Sequence, residues 1–158
     1  TEPMKLNHLL IPYLALLGFV FGGFISSSGI SWYETLTLPA GHPTLPVIAL
    51  IWAVIFICAA WSMLYIWNKV PHGKEQHELV ALFLIIVAAN LLWSATFFLL
   101  HFLDWSVWIA TLISLAAFLL SALLLHRHSV EAGLLMLPYA VWVAYAAFLT
   151  NQVALLNP

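Results

Sequence analysis

Between Glu78 and Asp104 the chain carries no Asp, Glu, Lys or Arg. The same holds from Lys5 to Glu34, from Glu34 to Lys69, from Asp104 to Arg127, and from Glu131 to the last residue, Pro158. These charge-free stretches are the tightest constraint on the fold. Four Lys/Arg and six Asp/Glu cannot cover a water-soluble domain of 158 residues when 65% of them are hydrophobic and the mean hydropathy is +1.06. A bilayer is the solvent that such a chain requires.

Backbone polar groups find no partner in hydrocarbon, so a spanning segment is either a helix or a strand of a closed barrel. The apolar runs lack the alternation of membrane strands, which leaves an all-α bundle. The expected spans are 8–25, 46–67, 78–103, 106–125 and 131–156, each long enough for a hydrocarbon core of about 30 Å. Together they form one transmembrane domain. Lys5 and the apolar run from Leu9 to Phe24 imitate a secretory signal, with Ser26-Ser27-Ser28-Gly29 as a cleavage region. The length of the run favours a first span instead.

With five spans, Lys5, Lys69, Lys74 and Arg127 all fall on one side, and the connections on the other side contain no Lys or Arg. By the positive-inside rule the N-terminus is expected inside and the C-terminus outside. The net charge of −2 and the lack of a basic stripe argue against a nucleic-acid partner. The single cysteine, Cys58, lies in an apolar run and supports neither an internal disulfide nor a thiolate metal cluster.

The longest connection, residues 26–45, combines Trp32, Tyr33 and His42 with Pro39, Gly41 and Pro43, and reads as a structured lid. Within the spans, Asn90, Trp93 and Phe97 share one helical face. An amide in hydrocarbon needs a partner, supplied either by a neighbouring helix or by a ligand. The last span presents Pro138, Trp142, Tyr145 and Leu149 as a stripe with Tyr139 beside it, and Trp52 lies near the lid end of the second span. Such aromatics either pack the bundle or wall a pocket for a flat π-system.

His8, His42, His72, His77, His101, His126 and His128 all fall at span ends or in loops, so no metal site is expected. There is no H-E-x-x-H, G-x-S-x-G or P-loop, and no pair of intramembrane carboxylates. Gly18 and Gly22 form a G-x-x-x-G face, which would serve either a homodimer or helix packing inside one bundle.

Three blocks in order resemble the TspO family of translocator and tryptophan-rich sensory proteins. Trp32-Tyr33-Glu34-Thr35-Leu36-Thr37-Leu38-Pro39 is similar to its W-Y-x-x-L-x-K-P signature, Asn90-Leu91-Leu92-Trp93-Ser94 with Phe97-Phe98 to its N-x-x-W-x-x-x-F-F block, and Leu137-Pro138-Tyr139-Ala140-Val141-Trp142 to L-P-Y-x-x-W. The resemblance covers nearly the whole chain.

The resemblance implies a five-helix bundle, commonly dimeric, whose pocket under the first long loop accepts porphyrins such as protoporphyrin IX or haem, sterols and synthetic aromatic ligands. No obligatory cofactor is implied. Trp52 and Trp142 match pocket tryptophans implicated in porphyrin binding and light-dependent porphyrin breakdown; Tyr33, Asn90, Trp93 and Tyr139 match further pocket positions. His42 and Tyr145 join them as candidates from the lid and the aromatic stripe.

The implied location is a bacterial cell membrane. Leu38 stands where the family has Lys, and Gly41-His42-Pro43-Thr44 where it has W-x-P-P. No basic residue follows Phe148-Leu149-Thr150-Asn151-Gln152, so the cholesterol-recognition pattern of animal members is missing. The expectation is therefore a tetrapyrrole-binding membrane protein, with a porphyrin-degrading enzyme and a transporter of apolar cargo as alternatives.

Overall fold

A computed structural model describes residues 7–158, with side chains from Leu10 onward; Lys5 and the side chain of His8 lie outside the described residues. The order is α1 (Asn7–Ser28), α2 (Ile30–Tyr33), α3 (Leu45–Lys69), α4 (Lys74–Phe98), α5 (Leu103–Arg127) and α6 (Val130–Leu156). There is no strand among the described residues, and all the helices except α2 are long and apolar enough to cross a bilayer.

Of the boundaries that differ from the sequence expectation, two have a clear local reason. The stretch Ser26-Ser27-Ser28, expected to open the lid, instead completes α1. Its hydroxyls donate to carbonyls of the preceding turn, Ser26 to Gly22 at 2.8 Å and Ser27 to Phe24 at 2.8 Å, which satisfies them without leaving the helix. The third span was expected to reach Leu103 but ends at Phe98. The amides of Leu99 and Leu100 both donate to the Ala95 carbonyl, and His101 takes a left-handed φ of 58°, so Leu103 already belongs to α5. Leu99, Leu100, Phe102 and Leu103 continue the apolar run, which set the expected break at residues 104–105, too late.

The helices are not equally held. α5 and α6 pack along their lengths around Ala117, Leu120, Leu124, Ala132, Met136 and Ala140, all buried. Lipid is as apolar as these side chains, so association depends on close packing and hydrogen bonds between helices. Small residues supply both. Ser121 donates to the Gly133 carbonyl at 2.8 Å, Ser114 to Ala140 at 3.3 Å, and Ser62 on α3 to Ala132 at 2.9 Å. α3 is thereby tied to the α5/α6 pair.

By contrast, no residue in the apolar window of α1 is buried, and among the described residues α1 touches only α2, α3 and α4. Gly18 and Gly22 face inward: a Cβ at Gly18 would lie 3.7 Å from Val87 and 3.8 Å from Phe56, and one at Gly22 3.8 Å from Leu91. The G-x-x-x-G face is thus used within the bundle, and the homodimer expectation rests on the family resemblance alone.

Glycine is sterically required at Gly133, where a Cβ would collide with the Leu125 side chain; at Gly23 it would meet nothing within 4 Å. Gly133→Ala is expected to cost about 1–3 kcal/mol by overpacking the α5/α6 contact. In detergent it should unfold at a clearly lower temperature than wild type, while Gly23→Ala should not.

Candidate functional site: an aromatic cavity beneath the lid

The lid is built by α2 and residues 34–44. A Cβ at Gly29 would collide with the Phe98 carbonyl, so only glycine lets the start of α2 press against the end of α4. Trp32 then stacks on His101, with ring centroids 3.9 Å apart and planes 13° from parallel, which fastens α2 to the α4–α5 turn. At the other end of the lid, the Thr37 amide donates to Asn157 Oδ1 at 2.9 Å and Asn157 Nδ2 donates to the Thr37 carbonyl at 3.0 Å. The lid is held by two separate latches.

Beneath it lies a cavity of about 290 Å³. Tyr33 and His42 form its roof, Trp52 of α3 and Trp142 of α6 one wall, and Asn90, Trp93 and Phe97 of α4 another; Phe56 lines the deep end. Gly18, Gly22 and Ser26 of α1 line a further side. Trp52 and Trp142 meet edge to face at 6.4 Å and 89°, while Trp93 and Phe97 stack at 5.4 Å and 20°. Both are favoured aromatic geometries.

His42 Nδ1 lies 2.9 Å from the Pro43 carbonyl, which can only accept, so Nδ1 carries the proton. Nε2 is then free to accept from the Tyr33 hydroxyl at 3.3 Å. Burial pushes the Tyr33 hydroxyl above the usual phenol range, which keeps it a donor.

Among the described residues the Asn90 amide has no protein hydrogen bond, so the interhelical partner that the sequence allowed is not the one used. The indole Nε1 groups of Trp93 and Trp142 are likewise buried without a partner. An unpaired buried donor costs about 1–3 kcal/mol, a deficit that a ligand acceptor would remove. The cavity therefore joins apolar faces to the unpaired Asn90 side chain, and is walled by two tryptophans whose N–H groups are buried without a partner.

Of the eight candidate residues, Tyr33, His42, Trp52, Asn90, Trp93 and Trp142 line this one cavity. Tyr139 does not. It is buried between Trp52 and Phe56, at 6.2 Å from each, and lines a second cavity below. Tyr145 is 38% exposed on the outer face of α6, against Trp142 at 5.6 Å and Phe148 at 6.4 Å.

Sequence reasoning overlooked Phe56 and the α1 lining. Phe56 was within reach, because it lies one turn after Trp52 on the same face of α3. No group of three or more His, Cys, Asp or Glu side chains that would hold a metal occurs among the described residues.

The TspO/MBR family model matches residues 9–156. The chain is 26% identical over 151 residues to the translocator protein of Bos taurus, covering 89% of each chain. It is 29% identical over 148 residues to the tryptophan-rich protein TspO of Chlorobaculum tepidum, covering 90% of this chain and 89% of that one. With the tryptophan-rich protein TspO of Bacillus cereus it shares 27% identity over 158 residues, covering 98% and 99%. This multi-pass membrane protein belongs to the TspO/MBR family.

Proposed function

We propose that the protein binds a flat, apolar, conjugated ligand of the porphyrin type in the cavity beneath the lid. The observation that carries this reading is the convergence of Trp52, Trp93 and Trp142 from three different helices on one cavity, with two indole N–H groups unpaired. Stacking and burial would supply affinity, while Asn90 and the free indole donors would meet the acceptor atoms of a tetrapyrrole.

The cavity, at about 290 Å³, lies at the small end of the roughly 300–1,000 Å³ usual for ligand pockets. A macrocycle therefore needs the lid or α1 to move outward. α1 is the wall with least burial, and the lid is fastened by exposed contacts.

Lys69, Lys74 and Arg127 lie at the far end of the bundle from the lid, while the lid end carries Glu34 and Asp104 and no Lys or Arg among the described residues. The positive-inside rule supports a cytoplasmic N-terminus and an outward-facing lid and C-terminus. Bacterial relatives support a bacterial cell membrane.

A second reading has the protein degrade its porphyrin with light and oxygen, the porphyrin acting as photosensitiser. Trp52 and Trp142 favour it, because both line the cavity and would stand against the ligand as electron-rich rings. No further machinery is invoked.

Protoporphyrin titration of detergent-purified protein, followed by tryptophan fluorescence, is expected to give saturable quenching that Trp142→Leu weakens at least 10-fold. Non-saturating curves that match in wild type and variant would mean partition into detergent and would sink the assignment. Asn157→Ala, which removes one latch, should speed ligand release several-fold in stopped-flow displacement while leaving the cavity lining intact. Under illumination, loss of porphyrin absorbance beyond a protein-free control, abolished in the Trp52→Phe/Trp142→Phe pair, is the result that degradation requires. Unchanged porphyrin would leave binding alone.

A further inference from the structure

In the lid, Pro39-Ala40-Gly41-His42-Pro43 is a stretch whose residue types fix the backbone around its histidine. The His42 amide donates to the Pro39 carbonyl at 3.1 Å, closing a turn in which Gly41 takes a φ of 78°. That left-handed value at the third position is what a type II turn requires, and glycine adopts it without strain. Pro43 locks the next φ. His42 is therefore presented by a short, stiff piece of the lid.

The ring is set as firmly as the backbone. Nδ1 donates to the Pro43 carbonyl at 2.9 Å, which leaves the lone pair on Nε2. The Tyr33 hydroxyl lies 3.4 Å from Nδ1 and 3.3 Å from Nε2. Being almost equidistant from the two nitrogens, it sits near the plane that bisects the ring through Cε1, well away from the direction of the Nε2 lone pair, and the contact is weak. An imidazole whose Nδ1–H is held by a backbone carbonyl, with the Nε2 lone pair not engaged head-on, is the arrangement that metal-ligating histidines adopt.

Of the histidines among the described residues, His42 alone lines the cavity beneath the lid. Others are engaged elsewhere: His72 pairs with Gln76, His101 stacks on Trp32, and His128 lies 3.3 Å from Glu75. Since no group of three His, Cys, Asp or Glu occurs among the described residues, the side chains around His42 would not hold a bare metal ion. A metal already held by the four nitrogens of a planar macrocycle needs only a further ligand on its axis.

We infer that His42 is an axial ligand for a metal-centred tetrapyrrole, so that the cavity prefers the iron-loaded macrocycle to the metal-free one. The inference rests on the reading of the cavity as a porphyrin-type site, and adds to it the metal and the residue that selects it. On ligation the Nε2 lone pair forms a dative bond to the iron. No proton moves, because Nδ1 already holds it, and the Tyr33 hydroxyl gives up only its weak contact.

The test uses the full chain in phosphatidylcholine nanodiscs, titrated separately with metal-free protoporphyrin and with its iron(III) complex. Wild type is expected to shift the Soret band of the iron complex saturably and to give the electron paramagnetic resonance of a histidine-bound ferric centre. His42→Ala should remove that signature and weaken the iron complex about 10-fold or more, while leaving the metal-free porphyrin within about 2-fold. Imidazole added to the variant should restore the spectrum, which a merely structural role of His42 does not allow. Iron-complex spectra that match in wild type and variant, or equal weakening of both porphyrins, would overturn the inference and leave the porphyrin reading in place. Saturable binding of neither porphyrin to wild type would sink that reading, and the inference with it.

Discussion

Hydrocarbon offers no hydrogen-bond partner, and nearly every feature of this bundle follows from how its polar groups meet that constraint. Ser62, Ser114 and Ser121 donate across helix contacts, and Thr96, Thr111 and Thr150 donate back along their own helices. Among the described residues of the spans, the buried side-chain groups left over are Trp93 Nε1, Trp142 Nε1 and the Tyr139 hydroxyl. The two indoles belong to residues of the upper cavity and the phenol to a residue of the lower one.

The same constraint divides the helices into a frame and a wall. α3, α5 and α6 are joined by serine-to-carbonyl bonds and small-residue contacts, which fix their spacing closely. α1 has no side-chain hydrogen bond to another helix among its described residues; its serines donate to its own carbonyls. It closes both cavities through Gly18 and through apolar side chains, against a solvent that competes for the same contacts. A wall held in this way can separate from the frame at little cost in polar pairing.

The spans were legible because charge is so sparse: the ten ionisable residues of Lys, Arg, Asp and Glu punctuate the sequence almost where the helices end. The α4–α5 turn was legible as a short break but was placed a few residues late, because Leu99, Leu100, Phe102 and Leu103 continue the apolar run and the turn itself rests on a left-handed histidine. Most of the upper site could be read from helical spacing and the three family-like blocks, since Trp93 follows Asn90 by one turn. Tyr145 was placed there by its helical spacing from Trp142, and Tyr139 by its family-like block. Residues three before and three after Trp142 fall on opposite flanks of its face, however, and one lines the lower cavity while the other is exposed. The inward direction of the glycine face depends on which helix lies against α1, and pattern alone carries no such information.

The lid latches are instructive because they sit outside the hydrocarbon. The Thr37–Asn157 pair is exposed to water, so each bond contributes a net of about 0.5–1.5 kcal/mol and can exchange for hydration when broken. The Trp32–His101 stack adds a contact of similar modest size. Opening the lid therefore costs a few weak contacts, whereas opening the frame exposes serine hydroxyls and helix carbonyls to a medium that cannot solvate them. Local opening at the lid and α1 is thus the low-energy motion of this bundle. A cavity too tight for a macrocycle in its closed form is consistent with a protein whose frame holds the aromatic walls in place and leaves admission to its two weakest-held parts.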